Sequence, residues 1–400
     1  MSFKKPADEK NLYSSGNKIR VKNSYYTFSK QYPIGNIKMS RKASRRKKKN
    51  KIVFLTVLAV LCFILITSLA FFMTDTAIKI SYKSDDETGK SETIQNAEPS
   101  SLLSKGSVKA VYMDYSALSN KKYIRSVIKK IDRKDCNSVM IDFKTRDGHL
   151  AYSSKQQLAL ISKCAVFDNE TIRSAIKQFS SAGITVIAGI YCFEDSLVSS
   201  VNSDLAVKYL NTDVNWLDDL EENNGRSWLN PYSKEARKYI KEVISEVYNL
   251  GARGFVLRSV SFPSGESRDS ATFPGERKSS LRGKLLEDFV SSIKKALPSD
   301  SFLLVEETAT DIVSGNEQLY SGSFANNSAD GILADTSVRP EQYFPDKKSG
   351  FSSMIGLFSE MNSAKNDEAK LVALINKDDY SRKYLSTLRK SGFDNYILTD

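Results

Sequence analysis

From Lys109 to Thr399 the chain alternates short apolar runs with longer amphipathic stretches, and this alternation limits the folds open to it more than any other feature. The apolar runs read as eight strands, Lys109–Tyr115, Ser138–Lys144, Thr185–Phe193, Gly254–Val260, Phe302–Glu306, Gly331–Asp335, Leu371–Asn376 and Asn395–Thr399. Between them, Leu281, Leu285, Leu286, Phe289, Val290, Ile293 and Leu297 mark one helical face. Ala236, Ile240, Val243, Ile244, Val247 and Leu250 mark another that stops at Gly251, and a third helix ends near Ala182, before Gly183. Strands and helices in strict succession, eight times, predict an α/β chain folded as a closed (β/α)8 TIM barrel over residues 107–400. An open doubly wound sheet is the competing architecture, but no G-x-G-x-x-G or G-x-x-x-x-G-K-[ST] turn follows any strand. Because Asp400 comes directly after the eighth strand, the last outer helix is expected to be absent or replaced by the segment ahead of the barrel.

Ahead of the barrel, Ile52 to Met73 (IVFLTVLAVLCFILITSLAFFM) is a run of 22 residues without charge or proline. At about 1.5 Å rise per residue it spans a hydrocarbon core of about 30 Å, so a transmembrane helix is expected over 52–73. It is too long, and begins too far into the chain, for a cleaved signal peptide. Arg41 to Lys51 carries eight Lys/Arg, whereas Asp75, Asp85, Asp86 and Glu87 follow the span. The positive-inside bias therefore predicts a signal-anchor in the cell membrane, single-pass, with residues 1–51 in the cytoplasm and the barrel outside. Residues 74–106 are polar and aperiodic and read as an extracytoplasmic stalk, and the 1–51 tail reads as disordered.

The charge follows the same division. Residues 1–51 hold 16 of the 59 Lys/Arg and 2 of the 47 Asp/Glu, so the net +12 belongs to the tail and the remainder is near neutral. A nucleic-acid partner is not expected; the basic run is expected to set topology and to meet anionic lipid near Arg41–Lys51. A single histidine, His149, excludes zinc modules of the Cys/His type, bis-imidazole haem and nearly every Ser-His-Asp or Cys-His scheme. No metal and no cofactor are expected, and carboxylates must carry any acid-base chemistry. With Cys62 in the span, Cys136, Cys164 and Cys192 are left outside, an odd number from which no disulfide framework follows.

In a parallel barrel, chemistry gathers at the strand C-termini and the loops after them. Those positions hold Asp114, Asp142, Lys144, Asp147, Glu194, Asp195, Glu306, Glu307, Asp335 and Lys377, an acid-rich set suited to a hydroxyl-rich ligand. Several stretches then resemble a known group. VKAVYMDY (108–115), NSVMIDFKTRDGHLAY (137–152), GITVIAGIYCFEDSLVSSVNSDLAVK (183–208), WLNPYSKEARKYI (228–240) and GARGFVLRSVSFPSGE (251–266) are similar to the putative glycosyl-hydrolase domain family of bacterial (β/α)8 domains. The second-strand Asp-x-Lys and the Asn-Pro-Tyr-Ser run are the more specific pieces, and the likeness weakens after residue 300.

The resemblance implies a Phe-Asp-Tyr-Val/Ile-Arg-Phe-Pro motif at the end of strand four, its aspartate serving the sugar. Here the run is Leu257-Arg258-Ser259-Val260-Ser261-Phe262-Pro263, so Arg258 stands in the aspartate's place. After strand five, Glu306 matches a family position able to keep a carboxylate. Three readings follow. The first is a glycosidase-derived pseudoenzyme that binds cell-envelope polysaccharide, or an envelope protein, with Lys144, Asp195, Trp228, Tyr232 and Arg258 as ligand contacts and Tyr191 as a further stacking surface. The second is an active glycoside hydrolase in which Glu306 or Glu307 pairs with Asp142 or Asp195, with Glu306 and Asp142 as the leading catalytic candidates. The third is a structural envelope protein that uses the barrel as a spacer.

Overall fold

The computed structural model describes residues 99–105, 107–264, 266–336, 351–376 and 381–399. The expected tail, transmembrane helix and most of the stalk lie outside the described residues, as does Lys377. Among the described residues no helix is long and apolar enough to cross a membrane.

Eight parallel strands close into a barrel: β1 (Lys109–Tyr112), β2 (Ser138–Lys144), β3 (Thr185–Tyr191), β4 (Gly254–Arg258), β5 (Phe302–Thr308), β6 (Gly331–Asp335), β7 (Lys370–Asn376) and β8 (Asn395–Thr399). Each pairs with its sequence neighbours, and β8 closes the ring on β1 with Lys109 opposite Tyr396. The helices are α1 (Pro99–Ser104), α2 (Lys121–Arg133), α3 (Gln157–Ile161), α4 (Asn169–Ser181), α5 (Ser196–Val201), α6 (Lys234–Leu250), α7 (Arg282–Ala296), α8 (Ala309–Ser314), α9 (Phe351–Ala364) and α10 (Arg382–Lys390). Leu103 of α1 joins the barrel interior, so this short helix packs into the core rather than standing in for an eighth outer helix.

Strand alternation sorts the side chains. Ala110, Met140, Ile187, Val256, Leu304, Leu333, Val372 and Ile397 fill the interior, while the intervening residues pack against the helices. The helix on 234–250 begins at Ser233, whose hydroxyl caps the Ala236 amide, and ends at Gly251 with φ of 122°. Three strands stop short of the apolar runs that announce them. In the 109–115 run the chain leaves the sheet after Tyr112 because Asp114 turns to cap the 3-10 turn Tyr115–Ser119. In the 254–260 run Ser259, at φ of 50°, leaves extended geometry. Cys136, Cys164 and Cys192 are free thiols.

Candidate functional site

The topmost interior layer of the barrel is polar. Arg258, the last residue of β4, sends Nε 2.7 Å to Glu306 Oε2 and Nη2 2.8 Å to Glu306 Oε1, while Nη1 donates to Asp142 Oδ2 at 3.0 Å. The Tyr112 hydroxyl donates to the same Asp142 oxygen at 2.9 Å, and the guanidinium lies 4.5 Å from the centroid of the Tyr191 ring. Strands β1 to β5 thus each deliver one side chain to a single network. Gly189 makes room for it, since a Cβ there would overlap Asp142 Oδ1.

Charge accounts for its stability. Burial opposes the guanidinium's charge, but Glu306 and then Asp142 outweigh that, and the Arg258 pKa rises above its ordinary value. Burial pushes the Glu306 carboxyl up while the guanidinium pulls it back, leaving it above the usual range. Tyr112 is raised by burial and by the Asp142 charge. Glu306, Asp142 and Arg258 therefore form a triad in which one guanidinium bridges two carboxylates, in the fork geometry that suits arginine to carboxylates.

The sequence-predicted residues divide into three groups. Asp142, Glu306, Arg258 and Tyr191 meet in this network. Lys144 and Asp195 do not: a bulge between Asp142 and Lys144 breaks the alternation and turns the lysine behind the barrel wall. There Lys144 Nζ lies 2.8 Å from Asp195 Oδ2 and donates to the Tyr191 carbonyl, and both side chains are 0% exposed. Their expected role as ligand contacts is corrected to that of a buried strut, in which Asp195 also caps α5 through the Val198 amide. Glu307 likewise faces outward from the barrel, 2% exposed, as alternation after Glu306 requires. Neither Asp195 nor Glu307 can pair with a carboxylate across the mouth.

Trp228 is only 7% exposed, with its indole nitrogen donating to Asp218 at 3.3 Å, so it leaves little surface for stacking. Tyr232 packs on Phe262, with ring centroids 5.6 Å apart, away from the cleft that Trp228 borders; its expected ligand contact is also corrected.

That cleft, of 630 Å³, opens beside the triad and contains residues the sequence did not single out, Arg146, Arg226 and Asp218, together with Ser259 and Glu194. Glu194 is held by three donors, Arg146 Nε, Arg226 Nη2 at 2.9 Å and Ser259 Oγ at 2.9 Å. Arg226 Nη2 also reaches Asp218 Oδ2 at 3.1 Å. A second pair of carboxylates is thus bridged by an arginine. Arg146 lies two residues beyond β2, at a strand end, but Arg226 sits in a long excursion after β3, where strand ends give no signal. Among the described residues no cluster of three or more His, Cys, Asp or Glu could hold a metal ion.

Several solved structures are similar to this chain. A hypothetical protein from Ruminiclostridium thermocellum is 23% identical, covering 49% of this chain and 96% of its own, with a TM-score of 0.42. A GH20 exo-β-N-acetylglucosaminidase from Vibrio harveyi is 12% identical over 73% of this chain and 50% of its own, with a TM-score of 0.46. A variant of the glycoside hydrolase domain of PelA from Pseudomonas aeruginosa is 12% identical over 73% of this chain and 94% of its own, with a TM-score of 0.41. The chain thus spans about half the length of the Vibrio enzyme. No curated protein matches. The model of a family described as putative glycosyl hydrolase domain matches residues 110–310, which take in β1 to β5 and every member of the Arg258 network, and the chain belongs to that family.

Proposed function

We propose that this chain is a membrane-anchored, glycan-binding member of its family that no longer hydrolyses glycosidic bonds. The observation that carries the proposal is the bidentate Arg258–Glu306 pair, extended to Asp142. Glycoside hydrolysis needs one carboxylate facing an oxocarbenium-like cation and a second carboxyl free to hand over a proton. Here both carboxylates are occupied by a guanidinium, a permanent cation where the reaction would build a transient one. At about 4 Å and an effective dielectric near 20, a unit charge contributes about 4 kcal/mol. Reversing its sign therefore disfavours the transition state by up to roughly 8 kcal/mol, or about a millionfold in rate.

What remains suits binding. The 630 Å³ cleft presents guanidinium, carboxylate and hydroxyl groups beside one largely buried indole, the mixture a hydroxyl-rich ligand requires. The anchor at 52–73 would hold this cleft at the outer face of the membrane, within reach of cell-envelope polysaccharide.

The full chain in neutral detergent is tested for reducing-sugar release from envelope polysaccharides and for binding on a glycan array. No release, together with retention of a glycan class that Arg226→Ala abolishes, is expected. Robust release that Glu306→Gln eliminates would overturn the proposal in favour of an active hydrolase. Absence of both release and retention would leave the barrel as a spacer. Arg258→Asp, which returns an acid to the family's position, is the paired variant.

A further inference from the structure

On the outer helical ring, away from the mouth, a groove runs between α6 and α7. Its wider part, 610 Å³, is walled by Lys234, Arg237, Lys238 and Lys241. Its narrower part, 220 Å³, shares Lys241, Ser245 and Ala296 with the first and continues along Ile244, Tyr248, Ile293, Leu297 and Pro298. One channel therefore has a cationic end and an apolar end.

The cationic end is not neutralised from within. Lys238 has Glu242 as its partner at 3.7 Å, and the groove's other acid, Asp288, is engaged by Lys284 at 3.2 Å. Arg237 spends one Nη on the Pro231 carbonyl, and burial lowers its pKa, the mark of a cation short of counter-charge. Lys234, Arg237 and Lys241 are spaced i, i+3 and i+7, which puts them on one face of α6 along about 10 Å of helix. From Lys234 to Asn249 the channel follows about 22 Å of helix axis, the reach of a long alkyl chain plus its head group.

The geometry points to a binding groove for an anionic amphiphile, its phosphate or carboxylate head against Lys234, Arg237 and Lys241 and its alkyl chain laid along Tyr248, Leu297 and Pro298, above the buried Ile244 and Ile293. Charge complementarity selects the head, and the apolar continuation selects a ligand with a tail over a bare anion. The site is independent of the barrel mouth, so it stands or falls apart from the glycan reading.

The test is photocrosslinking of the full chain in neutral detergent with a diazirine-bearing dodecyl phosphate, with the cross-linked peptides located by mass spectrometry. Labelling within 234–249 and 285–298 is expected. It should fall about tenfold or more, the equivalent of about 1.4 kcal/mol, in Lys234→Glu/Lys241→Glu. It should fall similarly in Ser245→Phe, where an exposed position is filled and the tail blocked without disturbing the core. The matching dodecyl trimethylammonium probe should not label the groove, and equimolar inorganic phosphate should not compete. Equal labelling by the cationic probe, displacement by phosphate alone, labelling insensitive to both variants, or labelling confined to the basic segment 41–51 would each overturn the assignment.

Discussion

Replacing Arg258 by methionine tests the triad directly. The substitution keeps much of the side chain's volume and its contact with Tyr191 but leaves Asp142 and Glu306 facing each other with no cation between them. Four guanidinium hydrogen bonds of 2.7 to 3.3 Å are lost at once. Breaking a buried ion pair from one side costs about 3–5 kcal/mol, and here two acids are stranded; partial exposure at the mouth holds the loss within that range. Both tryptophans, Trp216 and Trp228, lie in the barrel, so urea unfolding followed by their fluorescence reports on this domain.

The pH dependence identifies the cause. Without the guanidinium, nothing offsets the effect of burial on Glu306, so its folded pKa stands further above the unfolded value. The penalty is then absent below the unfolded pKa and grows as pH rises through the folded one, and the gap between variant and wild type should close on acidification. The triple variant Arg258→Met, Asp142→Asn, Glu306→Gln should return to within about 1–2 kcal/mol of wild type, because a neutral triad has no charge to strand. A single-variant loss below about 1 kcal/mol, or a loss unchanged between acid and neutral pH, would refute the electrostatic account.

Further predictions follow from other buried groups. Burial, and then Asp311, push Glu307 up to about 8 from a reference of 4.5. The folded state therefore holds a proton that the unfolded chain releases, and stability should fall by about 5 kcal/mol as pH rises from 4.5 to 8; denaturation of Glu307→Gln across that window should show this slope removed. Lys144→Met should cost about 3–5 kcal/mol by stranding Asp195, with Asp195→Asn in the same chain restoring most of it in a double-mutant cycle. Gly189→Ala should destabilise by about 1–3 kcal/mol in the same unfolding assay, because the added Cβ displaces Asp142 from Arg258. External protease should digest the barrel on intact cells while an epitope at the N-terminus stays protected; the reverse pattern would overturn the proposed topology.

The barrel was legible because its signal is local and repeated. Three strands, Ser138–Lys144, Gly331–Asp335 and Asn395–Thr399, have the bounds the apolar runs predict, and Gly251 closes its helix as expected. Apart from β7, which begins one residue early at Lys370, the discrepancies lie at strand C-termini, where side chains compete with the sheet for the backbone: Asp114 captures its own turn, and Ser259 takes a positive φ. The triad was half legible. Resemblance placed Arg258 where the family has an acid, and strand ends nominated Asp142 and Glu306, but only three dimensions show one guanidinium engaging both. Lys144 and Asp195 were misread because period-two counting cannot anticipate a bulge. Arg226 was missed because its loop reaches the cleft through tertiary packing alone.

Two arginines at this mouth each bridge two acids, and together they make a stronger argument than either alone. Arg258 engages Asp142 and Glu306 inside the barrel; Arg226 engages Glu194 and Asp218 in the cleft. A hydrolytic site holds its carboxylates apart in protonation state, one ionised and one protonated, by giving them different surroundings. At this mouth all four carboxylates lie within hydrogen-bond distance of a guanidinium, so none is left free to hand a proton to a leaving group. Arg146, 55% exposed and bound to Glu194 through Nε, is the member of this arrangement best placed to meet a ligand from the solvent side. If binding rather than bond cleavage is what the mouth serves, Arg146→Ala should weaken glycan retention while leaving the urea midpoint close to wild type, because Arg226 and Ser259 still hold Glu194. A fall in stability with retention intact would reverse that assignment and make Arg146 a structural clamp.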